Sequence, residues 1–202
     1  MVYWKTSRLL IRVFNHLEWH KSRSEKVIYL TFDDGPTLEV TERVLEILKK
    51  FKAKATFFCL GRNVERHREI YNKIINDGHA TGNHTYSHLR GWKTPLKIYI
   101  QDTLLGAKYI SSDLFRPPYG RMTRNQSKYL RQQYKIIMWD VLSHDYNQLL
   151  PAWLCLKMVL RSTRNGSIVV FHDSFKASKN MLYVLPKFLE HFQKKGYKFE
   201  TI

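Results

Sequence analysis

Cysteine is almost absent from this chain: two residues in 202, Cys59 and Cys155, with no C-x-x-C pair. A disulfide framework and a thiolate metal cluster are thereby excluded. Cys59 falls in an apolar, strand-like run and Cys155 in a helix-like one, so both are expected as core thiols, which fits a reducing compartment. Long apolar runs are missing too, and nothing approaches the ~18 consecutive apolar residues of a spanning helix. Arg8 and Arg12 interrupt Leu9-Leu10-Ile11, and no small-residue cleavage site follows, so no secretory signal is read. The resulting expectation is a cytoplasmic protein, with peripheral contact at the inner face of the membrane left open.

Acidic residues are also scarce. Asp+Glu number 17 against 34 Lys+Arg, a formal charge of +17. That balance suits an anionic partner, whether nucleic acid, an anionic membrane or an acidic substrate, and composition does not choose among them. A nucleic-acid-binding protein has only the charge, the aromatic content and pairs such as Lys49-Lys50 and Lys194-Lys195 behind it. No recognised nucleic-acid motif is present. Residues 1–25 read as a basic flanking segment, in which 3–19 can form an amphipathic helix. Leu10, Val13, Phe14 and Leu17 would share one face and Lys5, Arg8 and Arg12 another. Packing of that helix on the domain is favoured over membrane contact.

What the chain does have is alternation. There is no repeat, linker or low-complexity segment, and 44% hydrophobic content supports the core of one domain over 26–202. Strand-like runs at 27–32, 53–60, 79–83, 114–116, 135–141, 167–171 and 197–202 are separated by helical patterns. This spacing means βαβ units and a parallel sheet, either open or closed. Polar residues with chemical potential follow five of the strands, which favours a closed or nearly closed barrel with one shared rim.

Four stretches, with Asp145 apart from them, carry the chemistry. Val27 to Pro36 runs from an apolar strand into two adjacent carboxylates, Asp33 and Asp34, stopped by Gly35-Pro36. Like charges so close need compensation, and a cation is the simplest source. His84 and His88 lie four apart; on one helical turn they would project together and, with a carboxylate, hold a divalent metal at an open site. Zinc is the leading candidate, with cobalt or another divalent ion the alternative. One aspartate would be the ligand and the other a base for metal-activated water. In Arg116-Pro117-Pro118-Tyr119-Gly120 the prolines stiffen the loop, the N–H groups of Tyr119 and Gly120 can face an oxyanion, and Arg116 can hold a carboxylate. Val169 to Asp173 delivers His172, a suitable general acid whose pKa Asp145 can raise.

Thr31 to Pro36, His84 to His88, Arg116 to Gly120, Trp139-Asp140 through Asp145, and Val169 to His172 occur in the order seen in polysaccharide deacetylases. This is the NodB-homology group, carbohydrate esterase family four, which the chain resembles from Lys26 to its end. The resemblance implies a distorted, incomplete (β/α)7 barrel. It also implies metal-dependent removal of N-acetyl groups from amino sugars of polysaccharide, oligosaccharide or peptidoglycan type. Asp34, His84 and His88 match the metal ligands, Asp33 the base and Arg116 the residue that orients it. Tyr119 matches an oxyanion-binding N–H, His172 the general acid and Asp145 the carboxylate that tunes it. Two departures concern the substrate pocket. Tyr146 stands where Trp is usual, adding a hydroxyl that needs a partner, and Val169 is matched to a usual Leu. Leu142 replaces a usual aspartate. A catalytically dead relative would have lost a ligand or the base, and neither is lost. Because some relatives act on lipid-linked sugars, a deacetylase or deformylase at the membrane surface is the alternative.

Overall fold

Strand β1 (Val27–Asp33) runs through the middle of a parallel sheet, and every residue of it but Tyr29 is buried. The computed structural model describes residues 4–202. Within them the chain passes through α1 (Arg8–Val13), β1, α2 (Val40–Lys50), β2 (Ala55–Cys59), α3 (Gly61–Arg66), α4 (Arg68–Asn76), β3 (Ala80–Asn83) and α5 (Leu96–Ala107). There follow β4 (Leu114–Phe115), α6 (Arg124–Leu130), β5 (Lys135–Ile136), β6 (Val141–Leu142), α7 (Ala152–Ser162), β7 (Ile168–His172), α8 (Phe175–Lys194) and β8 (Lys198–Phe199).

The order across the sheet is β5-β4-β3-β2-β1-β7-β6, with β8 also pairing with β1. All ladders between these strands are parallel, so their C-terminal ends share one edge. Register makes that edge useful: Asp33 pairs with Phe58 on one side and with His172 on the other. Side chains alternate across each strand. Leu30, Phe32, Phe57, Val169 and Phe171 meet the helices in the main core, while Phe58, Leu114, Ile137 and Ile168 cluster separately. Phe32 stacks between Phe57 and Phe171, with ring centroids 5.0 and 6.0 Å away. Both cysteines are free and buried, as expected.

This is the incomplete parallel barrel anticipated, with two corrections. The run at 135–141 is not one strand, so the sheet has eight strands rather than seven. Between β5 and β6 the backbone keeps one hydrogen bond to each neighbouring strand, Ile137 N–H to the Phe115 carbonyl (2.9 Å) and Asp140 N–H to that of Ile168 (3.0 Å), and turns in between to the N-terminal segment. Met138 N–H donates to the Glu18 carbonyl (2.7 Å), and Thr6 N–H donates to that of Asp140 (2.9 Å). The buried Asp140 carboxylate accepts from Arg23 Nη2 (2.9 Å) and Ser167 Oγ (2.7 Å), which pins this interruption. Segment 4–20 therefore lines the seam, bridging to residues 137, 141 and 167.

The second correction concerns the helix read over 3–19, of which residue 3 lies outside the described residues. Only Arg8–Val13 is helical, capped by Ser7, and it buries none of its residues. Leu10, Val13 and Phe14 are exposed, whereas Trp4, Ile11, Leu17 and the buried Trp19 pack on the domain. The seam contacts on either side hold the flanks extended and leave room for little more than one turn.

Phe32→Ala removes the ring at the centre of this stack. It is expected to lower unfolding free energy in urea by about 3–5 kcal/mol. A loss below about 1 kcal/mol would contradict the central place given to β1.

Candidate active site

The two adjacent carboxylates at the end of β1 go to different places. Asp34 has a left-handed backbone, φ 82°, which breaks the strand's alternation and turns its side chain toward the histidines. Its Oδ1 lies 3.2 Å from His88 Nε2 and 3.7 Å from His84 Nε2. The turn is held from behind. Asn63 donates to the Asp34 carbonyl (2.7 Å), and the buried Asp173 carboxylate accepts from Gly35 N–H (3.0 Å) and Thr41 Oγ1 (2.6 Å). Asp173 Oδ2 sits where a Cβ at Gly35 would stand, so glycine is required there. Burial, with the Asp34 charge adding to it, raises the Asp173 carboxyl to about 7.

His84 and His88 do not share a helical turn, contrary to expectation. Thr85 and His88 have φ of 67° and 63°, and the segment is an irregular loop. Asn83 Oδ1 accepts from Thr85 N–H (2.8 Å), and Asp102 on α5 accepts from the N–H groups of Tyr86 (3.1 Å) and Ser87 (3.0 Å). The loop still brings both imidazoles to one point, and one donor atom from each of Asp34, His84 and His88 lies within 4.8 Å of the others. His84 Nδ1 is 2.7 Å from the Arg116 carbonyl, which can only accept, so Nδ1 carries the proton and Nε2 offers its lone pair. Burial lowers the His84 pKa to about 4, keeping the ring neutral. Burial opposes charge on Asp34, but the His88 hydrogen bond and the nearby imidazoles hold its carboxyl well below the usual range. A carboxylate and a neutral, oriented imidazole beside a second imidazole fit a divalent cation.

Asp33 turns inward to Arg116. Arg116 is fully buried, and its Nη1 donates to Asp33 Oδ1 and Thr31 Oγ1, each at 2.7 Å. Nε and Nη2 donate to the carbonyls of Ile137 (3.2 Å) and Met138 (3.0 Å), and the guanidinium stacks 4.0 Å above the Phe58 ring. Burial lowers the Arg116 pKa and the Asp33 charge counters it. Asp33 Oδ2 has no hydrogen-bond partner among the described residues.

On the other side of Asp33, Asp145 grips His172. Asp145 Oδ2 accepts the His172 backbone N–H (2.8 Å), and its Oδ1 lies 2.7 Å from Nδ1. Burial opposes charging the ring, but the Asp145 charge and hydrogen bond outweigh it and raise His172 to about 9. Tyr146 meets His172 edge to face at 5.0 Å, and its hydroxyl finds a partner in His144 Nδ1 at 3.1 Å.

Asp33, Asp34, His84, His88, Tyr146 and His172 line one cleft of about 620 Å³ with Tyr119, Gly120, Trp139, Leu142 and Val170 among its walls, and Arg116 and Asp145 lie buried behind it. A separate hollow of about 740 Å³ between the N-terminal segment and α6 contains none of them. Two expectations need correction. Val169 is not in the cleft: it lies in the main core, one residue off the face that carries His172, and Val170 lines the cleft instead. Stepping by two from His172 identifies it. Gly120 N–H is committed to the Pro117 carbonyl (2.9 Å), whereas Tyr119 N–H has no partner among the described residues.

Residues 20–135 match the polysaccharide deacetylase family model. The chain belongs to the polysaccharide deacetylase family. It is 30% identical over 194 residues to a peptidoglycan-N-acetylglucosamine deacetylase of Bacillus cereus, covering 93% of this chain and 91% of that one. It is 29% identical over 187 residues to the peptidoglycan-N-acetylmuramic acid deacetylase PdaC of Bacillus subtilis, covering 89% of this chain but 38% of the longer relative. Among solved structures, a peptidoglycan N-acetylglucosamine deacetylase bound to an N-hydroxybenzamide superposes with a TM-score of 0.86 at 30% identity, over 98% and 95% of the two chains. The polysaccharide deacetylase family is generally metal-dependent, and Asp34, His84 and His88 form a cluster of the kind that can hold a metal ion.

Arg116→Met leaves Asp33 buried without its cation, and unfolding in urea is expected to show a loss of about 3–5 kcal/mol. A variant as stable as the parent would mean that Asp33 has another partner.

Proposed function

We propose that this chain hydrolyses the N-acetyl group of an N-acetylated amino sugar in a glycan of polysaccharide, oligosaccharide or peptidoglycan type, releasing acetate and a free amine. The observation that carries the reading is the divergence of Asp33 and Asp34 from one strand end. One joins two imidazoles and the other joins a buried guanidinium, with His172 as the register partner of Asp33. The family and the relatives' names support the substrate class.

Asp34, His84 and His88 would hold one divalent ion, for which two nitrogens and a carboxylate at an open site favour zinc. Bound there, the ion supplies Lewis acidity, activating water and polarising the amide carbonyl. Asp33 accepts the proton of the attacking water at Oδ2, the oxygen that Arg116 leaves free. Arg116 fixes that carboxylate through Nη1. Tyr119 N–H donates to the oxyanion as the carbonyl carbon becomes tetrahedral. His172, charged at neutral pH, donates from Nε2 to the departing amine while Asp145 holds Nδ1–H. Trp139, Leu142, Val170 and Tyr146 enclose the acetyl methyl and exclude water.

Two variants separate the carboxylate roles. Asp33→Asn should retain one zinc per chain while turnover on N-acetylglucosamine oligomers falls by about 100-fold or more. His84→Ala should weaken zinc binding itself by at least about 100-fold in a competition titration with a chelator. Equal metal loss in both would reverse the assignment of Asp33 and Asp34.

The pH profile tests the acid. A general acid must be protonated, so activity falls as pH rises through its pKa. Asp145→Asn removes the charge that most strongly opposes burial and leaves only Asp34 and Asp33 against it, so the His172 pKa falls and the alkaline limb of kcat/KM should move toward acid. An unmoved limb would remove His172 from the proton donation.

A further inference from the structure

The mouth of the cleft carries charge that the hydrolysis does not use. Arg90, Lys93, Arg121 and Lys176 line it, and all four side chains are exposed. None of the four forms an ion pair with a carboxylate among the described residues. The cleft's acidic lining is confined to Asp33 and Asp34, both engaged at its floor. Three of the cations are seated on aromatic rings. The Arg90 guanidinium lies 4.8 Å from the Tyr119 centroid, that of Arg121 lies 4.8 Å from Trp92, and Lys176 Nζ lies 6.0 Å from Tyr146. Trp92 is itself anchored, its Nε1–H donating to the Met122 carbonyl at 2.8 Å.

Stacking matters because it fixes a guanidinium by its face and leaves its in-plane N–H groups free. Such an edge suits a phosphate or carboxylate, which can accept two parallel hydrogen bonds. A neutral sugar hydroxyl gives these groups no charge to answer. Trp92 and Tyr119 are themselves exposed beside the cations and offer apolar surface against which the C–H groups of a sugar can pack. Like-charged side chains gathered at one mouth repel each other when empty, so an anion there relieves a cost that a neutral ligand leaves in place.

We propose that the cleft selects an N-acetylated amino sugar that carries an anionic group, phosphate or carboxylate, on or next to the ring bearing the acetamide, and that Arg90, Arg121 and Lys176 are the residues that select it. This rests on the deacetylase reading above. It differs from the attraction that a net charge of +17 exerts on any anion, because it assigns the preference to the cleft mouth.

The test compares kcat/KM for acetate release from three oligomers of equal length: neutral N-acetylglucosamine tetramer, the same tetramer as its reducing-end phosphate ester, and the same tetramer with a reducing-end carboxylate. The zinc-loaded protein is expected to prefer a charged oligomer over the neutral one by about tenfold at low salt, less at ~0.5 M salt. Arg90→Gln, Arg121→Gln or Lys176→Gln should each cut that charged-to-neutral ratio by about 2–5-fold, and Arg90→Gln with Arg121→Gln by about tenfold. Lys157→Gln, the same loss of charge on α7 outside the cleft, should leave the ratio unchanged. Thermal melting of each variant checks the fold. A preference for phosphate alone assigns a sugar phosphate, and equal preference for both anions assigns charge itself. Equal kcat/KM on all three oligomers overturns the inference while leaving the deacetylase reading standing, as does a ratio that survives the double variant or falls equally with Lys157→Gln. No acetate from any oligomer overturns the deacetylase reading, and the inference with it.

Discussion

A guanidinium with no access to water holds this active site together. Arg116 comes from the loop after β4, crosses the inside of the half-barrel, and ends on Asp33 at the tip of β1. Moving either charge alone from water into that interior would be costly, and neither residue is there without the other. Four more contacts, to Thr31, Ile137, Met138 and the Phe58 ring, leave the guanidinium one position. The same residue's carbonyl sets the tautomer of His84. One side chain and its own backbone thus fix Asp33, the proposed base, on one side and the His84 imidazole, a proposed metal ligand, on the other.

The sheet converts that local constraint into a site. Parallel strands put their C-terminal ends on one edge, and register sets Asp33 beside His172. Asp145, beyond β6, clamps His172 through both carboxylate oxygens. The gap between β5 and β6 leaves the barrel open, and the N-terminal segment fills it with backbone hydrogen bonds rather than with an apolar helix face. Asp140, Arg23 and Ser167 tie that seam to the end of the sheet opposite the cleft.

Much of this was legible in the residues. Paired carboxylates at a strand end, two histidines four apart and an imidazole closing an apolar strand are local patterns, and the fold brings all of them together. What failed did so where long-range contacts override local pattern. Four-residue spacing suggested a helical turn for His84 and His88, but Asn83 and Asp102 hold that loop through backbone N–H groups, and nothing in the spacing announces them. The apolar run at 135–141 looks like one strand because the partner that interrupts it lies some 120 residues upstream. Val170 was recoverable: strand alternation from His172 points to it, and motif matching alone put the pocket residue one position too early.

The proposed hydrolysis depends on a cation held by Asp34, His84 and His88. The most direct measurement is acetate release from N-acetylglucosamine oligomers before chelation, after it, and after zinc is restored in stoichiometric amount. Release is expected to stop with chelation and to return with about one zinc per chain. Release that continues in the fully chelated protein would contradict that dependence, as would a protein that binds no divalent ion at this cluster.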